Sequence, residues 1–317
     1  MGGTDQRIGC HLFIRFLSVD RPLPTAGRPG AGCGCEPRGD IIPPMPELPE
    51  VETIRRDLLS AVRGTTVRSA WISPNAPRLV QLMPPEAFCR GLRGRRIEDV
   101  GRRGKYLLIH LDGGLTWIVH LRMTGRLQHA RDGCPGEPYL RAKFELDDGS
   151  WLCFIDMRKF GTMWLVDDVE LVTGKLGPEP LEETFDVAAF HGSLKRRSAA
   201  IKAVLLDQTV LAGVGNIYAD ESLFRAGIDP RKAAKRISRP GARRLHEAIA
   251  EVLLEAVGDR GSSFQDYVDV QGEAGYYHLK VRVFRRTDEP CLVCGTPIRR
   301  VKVGGRSTHF CPRCQRR

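Results

Sequence analysis

Four cysteines stand as two CxxC pairs, Cys291 with Cys294 and Cys311 with Cys314, with sixteen residues between the pairs. Thiolates at that spacing suit one tetrahedral Zn2+. Four protein ligands leave no open position for water, so the expected role of the ion is structural. A second stretch, Met45-Pro46-Glu47-Leu48-Pro49-Glu50-Val51-Glu52, reads like the start of a protein, although 44 residues precede it. A chain begun there and freed of its methionine would carry a proline amine beside a carboxylate. Taken in isolation, prolines and acids are also what a helix start favours.

Two weaker signals lie further along. Gly213 and Gly215 form a flexible turn ahead of a helix that begins near Asn216. Such a turn either seats a phosphate on free backbone N–H groups or simply caps the helix, with Asn216 as N-cap. Past Glu289 no acid occurs, while Arg299, Arg300, Lys302, Arg306 and Arg313 are all basic. Beside a zinc hairpin that run favours phosphate contact.

These groups need elements to hold them. The 317 residues are 42% hydrophobic and 27% charged, as in folded soluble proteins, and a net charge of +11 favours a polyanion, nucleic acid first. No apolar run reaches 18 residues. The segment Ile8 to Val19 is broken by His11 and Arg15 and lacks a cleavage pattern, so no secretory leader is expected. Cysteines paired as CxxC read as metal ligands in a reducing compartment. Residues 1–44, rich in Gly, Pro and Arg, are expected to be disordered. Apolar residues at Val51, Ile54, Leu58 and Val62 predict an amphipathic helix. "KYLLIHL", "TWIVHL", "AKFEL", "WLCFIDM" and "TMWLV" predict antiparallel strands separated by Gly/Asp turns. From Phe185 to about Val257 the period becomes helical.

In their order along the chain, "MPELPEVET", "GKYLLIHL", "HLRMTGRL", "DMRKFG", "LGPEPL", "GVGNIYADESLF" and the CxxC…CxxC finger resemble the formamidopyrimidine-DNA glycosylase family, over roughly Met45 to Gln315. The resemblance implies an α+β multidomain fold: an N-terminal β-sandwich flanked by helices (45–175), a helical helix–two-turn–helix domain (176–284) with a lesion-covering loop at 261–280, and a zinc-finger β-hairpin (285–317). It implies excision of oxidised purines from double-stranded DNA by a bifunctional glycosylase and AP lyase, followed by β,δ-elimination. The family nucleophile falls on Pro46 and the proton donor on Glu47, with Glu50 a supporting acid. Lys105 and Arg306 match the family's phosphate contacts and proton donors for β- and δ-elimination. Met123, Arg158 and Phe160 match the side chains that fill the hole left by the extruded base. Asn216, His120 and Lys202 match DNA-contact positions. The expected partner is damaged duplex DNA, bound by a monomer in the bacterial cytoplasm at the nucleoid, without membrane or small-molecule cofactor.

The amine chemistry supports placing the nucleophile at a chain start. At pH 7.5 a lysine of pKa about 10.4 is roughly 0.1% neutral, whereas an α-amine of pKa about 7.8 is about a third neutral. With residues 1–44 attached, however, the Pro46 nitrogen is a tertiary amide without a nucleophilic lone pair. Either translation begins at Met45, or the extension is removed, or the usual Schiff base cannot form; the first is expected. The family pattern is broken at "VFRRTDEPC" ahead of the finger, and Lys159 stands where an arginine is usual. Two rival readings are an endonuclease-VIII-like enzyme for oxidised pyrimidines and a catalytically blocked DNA-binding protein.

Overall fold

The computed structural model describes residues 45–134, 136, 138–263 and 267–316. The expected disordered extension, 1–44, lies outside them.

Helix α1 (Leu48–Val62) opens the described chain and buries Val51, Ile54, Leu58 and Val62, the stripe that its spacing predicts. Strand β1 (Val67–Ile72) and helix α2 (Pro85–Leu92) follow, then β2 (Ile97–Arg103), β3 (Tyr106–Leu111), β4 (Thr116–His120), β5 (Gly125–Ala130), β6 (Leu140–Leu146), β7 (Trp151–Asp156) and β8 (Thr162–Val166). They form two antiparallel four-stranded sheets, ordered β1-β6-β7-β5 and β2-β3-β4-β8. Phe144, Leu152 and Phe154 of the first sheet and Leu107, Ile109, Trp117 and Met163 of the second share one core with α1 and with Phe88 and Leu92 of α2. This is the β-sandwich flanked by helices. On the first sheet Cys134 and Cys153 are joined as a disulfide, while Cys89 is free. The pairing lies outside the expected zinc set.

A short helix, α3 (Glu170–Thr173), leads to the linker at Leu176–Leu181 and then to α4 (Val187–Lys195), α5 (Ile201–Leu205), α6 (Asn216–Arg225) and α7 (Arg239–Gly258). These helices enclose a second core, which also takes in Leu48. The first turn of α1 therefore belongs to the helical lobe, and the rest of the helix to the sandwich. The chain ends in the hairpin β9 (Arg299–Val303) and β10 (Arg306–Phe310). A small cluster of Val283, Cys291, Ile298 and Cys311 supports it. Asp229 and Gly227, beyond α6, exchange backbone hydrogen bonds with Arg316 and so dock the finger's end on the helical lobe.

Candidate active site at the junction of the lobes

Pro46 and Glu47 lie buried where α1, the turn before α6 and the β2–β3 turn converge. Three contacts set this convergence. The Leu48 N–H donates to Gly213 O at 3.0 Å. The Ile217 N–H, in the first turn of α6, donates to Glu47 Oε1 at 3.1 Å. The Glu47 N–H donates to Glu50 Oε2 at 2.8 Å.

The glycines of the turn are there for room. A Cβ on Gly213 would stand 2.8 Å from Leu48 Cβ, and one on Gly215 only 2.4 Å from Glu47 Oε1. Gly213 also has φ +88, a conformation that side chains disfavour. Gln208 holds the turn in place, accepting from Gly213 N–H at 2.9 Å and donating to Val214 O at 2.8 Å. The dipole end of α6 thus faces Glu47 and not a free phosphate seat, and Gly215, not Asn216, is the N-cap. Gly215→Ala is expected to push the Glu47 carboxylate off Ile217 and to lower single-turnover base excision by about tenfold or more, since misplacement on the ångström scale is costly in a preorganised site.

Glu47 is 2% exposed, and burial pushes its pKa up to about 7 against the opposing charge of Lys105. Its Oε2 accepts no hydrogen bond from the described residues. A carboxyl poised near neutrality with one oxygen uncommitted can give up a proton. Lys105, in the turn just before β3, is also buried, which lowers its pKa while Glu47 and Glu50 pull the other way. Arg306 is exposed at the start of β10, and its charge reaches both Lys105 and Lys202. The finger's tip therefore lies within electrostatic reach of the sandwich's lysine.

Glu50 ties that site together. Besides the Glu47 N–H, its carboxylate receives the Tyr218 hydroxyl and, at 2.7 Å, the Ser262 N–H. Burial raises its pKa and these donors oppose the rise. Ser262 opens the loop expected to cover the lesion, of which residues 264–266 lie outside the described set. The loop's flanks are anchored: Asp269 takes Arg260 and the N–H groups of Gln271 and Glu273, and Val270 is buried in the sandwich core.

Among the expected void fillers, Met123 is half-buried and Arg158 and Phe160 are exposed, with the guanidinium 4.7 Å from the phenyl centroid. Asp156, not singled out from the sequence, braces both turns. Its carboxylate takes the Thr124 hydroxyl at 2.5 Å, the Arg158 N–H at 3.1 Å and the Gly161 N–H at 2.8 Å. His120 is 5% exposed, stacks edge-on against Tyr106, and accepts from the Arg122 N–H at 3.0 Å. Burial, Arg122 and Lys105 hold it well below the ordinary imidazole range, so it is neutral. Asn216 is half-buried as the first residue of α6, its Oδ1 without a partner among the described residues.

Lys202 departs from its expected place at the DNA backbone. It is fully buried, with Nζ 2.7 Å from Asp220 Oδ1 and donating to Ser307 O at 2.8 Å. Asp220 also takes the His309 N–H at 2.9 Å. The lysine is a strut between α5, α6 and the finger, compensated because an unpaired buried charge would be costly.

The four finger thiolates lie within 4.8 Å of one another, with Cys291 Sγ to Cys314 Sγ at 3.9 Å and Cys294 Sγ to Cys311 Sγ at 3.5 Å. A tetrahedron with Zn–S near 2.3 Å has sulfur edges of about 3.8 Å, so the four residues fit one structural Zn2+. Chelation, or Cys311→Ser, is expected to unfold the hairpin and weaken binding to damaged duplex DNA by about tenfold or more, read by fluorescence anisotropy, because Arg306 then loses its support.

A β-sandwich, a helical lobe and a four-thiolate hairpin meeting at the buried Lys105 and Glu47 define a zinc-finger DNA glycosylase architecture. Family models agree along the chain: the formamidopyrimidine-DNA glycosylase N-terminal domain matches residues 45–163, its H2TH domain 176–267, and the zinc finger found in FPG and IleRS 288–317. The formamidopyrimidine-DNA glycosylase of Heliobacterium modesticaldum is 47% identical over 279 residues, covering 86% of this chain and 100% of its own. That of Bacillus subtilis is 43% identical, covering 86% and 99%. The crystal structure of MutM (Fpg) from Thermus thermophilus superposes with TM-score 0.77 at 42% identity, over 85% of this chain and 98% of that one. Lactococcus lactis Fpg bound to abasic-site DNA gives 0.80 at 37%, over 86% and 100%. The chain belongs to the formamidopyrimidine-DNA glycosylase family.

Proposed function

We propose that this protein excises oxidised purines from duplex DNA and then cuts the strand, using the Pro46 amine as nucleophile. The observation that carries the reading is Glu47: a carboxyl with a pKa of about 7, adjoining Pro46 and seated on α6. The neutral amine attacks C1′ of the damaged nucleotide, forming an N–C1′ bond as the bond to the base breaks. Glu47 protonates the ring oxygen O4′, the C1′–O4′ bond opens, and a Schiff base results. Loss of a C2′ proton expels the 3′ phosphate, and loss of a C4′ proton expels the 5′ phosphate. Lys105, Arg306 and Asn216 hold the phosphates flanking the lesion. Met123, Arg158 and Phe160 fill the vacated stack, with Arg158 able to hydrogen-bond the orphaned cytosine. His120 supports the wall beside Lys105. The finger Zn2+ organises the hairpin and takes no chemical step. We place the enzyme, acting as a monomer, at the bacterial nucleoid in the cytoplasm.

The test is borohydride trapping with a chain beginning at Pro46 on duplexes carrying 8-oxoguanine, an oxidised pyrimidine, or no lesion. A covalent adduct formed fastest on the oxidised purine is expected. Preference for the pyrimidine would favour the endonuclease-VIII-like reading, and no adduct on any duplex would sink both.

A further inference from the structure

The linker residue Glu179 is an acid only 1% exposed. Its Oε2 receives Arg102 Nη1 at 2.7 Å, and its Oε1 lies 3.3 Å from Arg103 Nη1 and accepts the backbone N–H of Gly104. Arg102 also donates to Gly104 O at 3.1 Å and to Glu52 Oε2 on α1 at 3.1 Å. Arg103 donates to Gly177 O at 2.7 Å. All three residues before Lys105 are thus held by one carboxylate and its neighbours. Gly104 itself has φ +58, and a Cβ there would stand 3.4 Å from Ala212 Cβ and 3.5 Å from Gly213 N. On its other side the linker is fixed to the helical lobe. Gly177 N–H donates to Gln208 O at 2.8 Å, and Ala212 N–H donates to Pro178 O at 3.0 Å.

We propose that Glu179 is a positioning residue: it fixes the Arg102–Gly104 turn and thereby sets the Lys105 ammonium against Glu47. The proposal rests on the role given to Lys105 under the proposed function. A linker that only had to span the lobes would not need a buried anion. This anion is matched by two guanidiniums and a main-chain donor that all lie immediately before the lysine. Removing it leaves those donors without their acceptor and frees the turn that leads into the lysine.

The discriminating measurement needs no activity. Reductive methylation of lysines in the full chain, read peptide by peptide by mass spectrometry, compares Lys105 with Lys202. Lys202 is also buried, at 0% exposure against 5% for Lys105, and is paired with Asp220 rather than with Glu179. In Glu179→Gln, labelling of Lys105 is expected to rise about tenfold, with Lys202 unchanged, because only the first is released by local opening. Unchanged labelling of Lys105, or an equal rise at both lysines, overturns the proposal; the latter would mean a merely structural staple. Should Glu179→Gln fail to fold, Glu179→Asp keeps the charge but withdraws the carboxylate from Gly104, and the same pattern is expected. In the form that traps on DNA, a double-mutant cycle completes the test. Glu179→Gln should slow single-turnover excision about tenfold alone and add nothing to Lys105→Ala. Independent multiplication of the two losses would refute action through Lys105. A wild type that labels as described but never traps would refute the functional reading and leave the positioning role standing.

Discussion

A form of the protein that retains Met45 or any residue before it is expected to trap no sugar, whereas one that starts at Pro46 traps readily. In the first form the Pro46 nitrogen is an amide whose lone pair is delocalised into the carbonyl, and it carries no proton to lose. In the second it is a secondary amine, roughly a third neutral near pH 7.5 at an α-amine pKa of about 7.8. Removing a covalent nucleophile lowers turnover by on the order of 10^3-fold or more. The comparison is made on duplexes with a preformed abasic site, so that base recognition cannot limit the result. Binding should differ little between the forms, because Arg306, Asn216 and the finger lie on other segments. Comparable adduct yields from both forms would show that some other amine, Lys105 first, is the nucleophile.

Glu47→Gln is expected to be inactive and yet more stable. Loss of a general acid lowers the rate by about 10^2–10^4-fold. The stability change has the opposite sign. Burial raises the Glu47 pKa from 4.5 to about 7, so the folded protein binds this proton more tightly than the unfolded chain does. That favours folding most at low pH, and the benefit fades as pH climbs through the interval between those values. Above it, the native state holds a buried anion that the unfolded chain would solvate freely. Glutamine removes that penalty, about 3 kcal/mol at pH 8 and near zero at pH 4. Thermal unfolding of wild type and variant should therefore diverge as pH rises from 5 to 8. A variant that melts lower than wild type at pH 8 would show that the ionised carboxylate is well compensated in place.

The parts of this molecule that were legible in its sequence are those fixed by local pattern. Cys291, Cys294, Cys311 and Cys314 declare their ligand geometry by spacing alone. The α1 stripe follows from steps of three and four, and β3, β4, β6, β7 and β8 from their branched and aromatic runs. Strands β1, β2 and β5 were not visible in the same way. In β2, Ile97–Arg103, only Ile97 and Val100 are buried, and charged residues fill much of the rest. What escaped entirely are groups whose meaning depends on a distant partner. Asp156 reads as a strand-end acid until Thr124 folds against it, and Glu179 as a linker acid until Gly104 does. Lys202 looked like a backbone contact because Asp220, its counter-ion, sits on the following helix. For Gly213 and Gly215 the choice between a phosphate seat and a simple helix cap stayed open, because nothing in their own segment shows that Leu48 and Glu47 press against them. Chemistry that is shared between segments leaves little local trace in any one of them.

The placement of Leu48 in the helical lobe's core, one turn ahead of residues committed to the sandwich, has a bearing on engineering. The two lobes are not interchangeable parts. A sandwich expressed alone would expose the apolar first turn of α1 and lose the groups of α6 that seat Glu47, while a helical lobe alone would have a hole where Leu48 belongs. Chimaeras between relatives should therefore take α1 and both lobes from one parent, because the helix packs Leu48 into one core and Val51, Ile54, Leu58 and Val62 into the other. Any affinity tag belongs away from the amine, for example in the exposed turn at Asp147–Gly149.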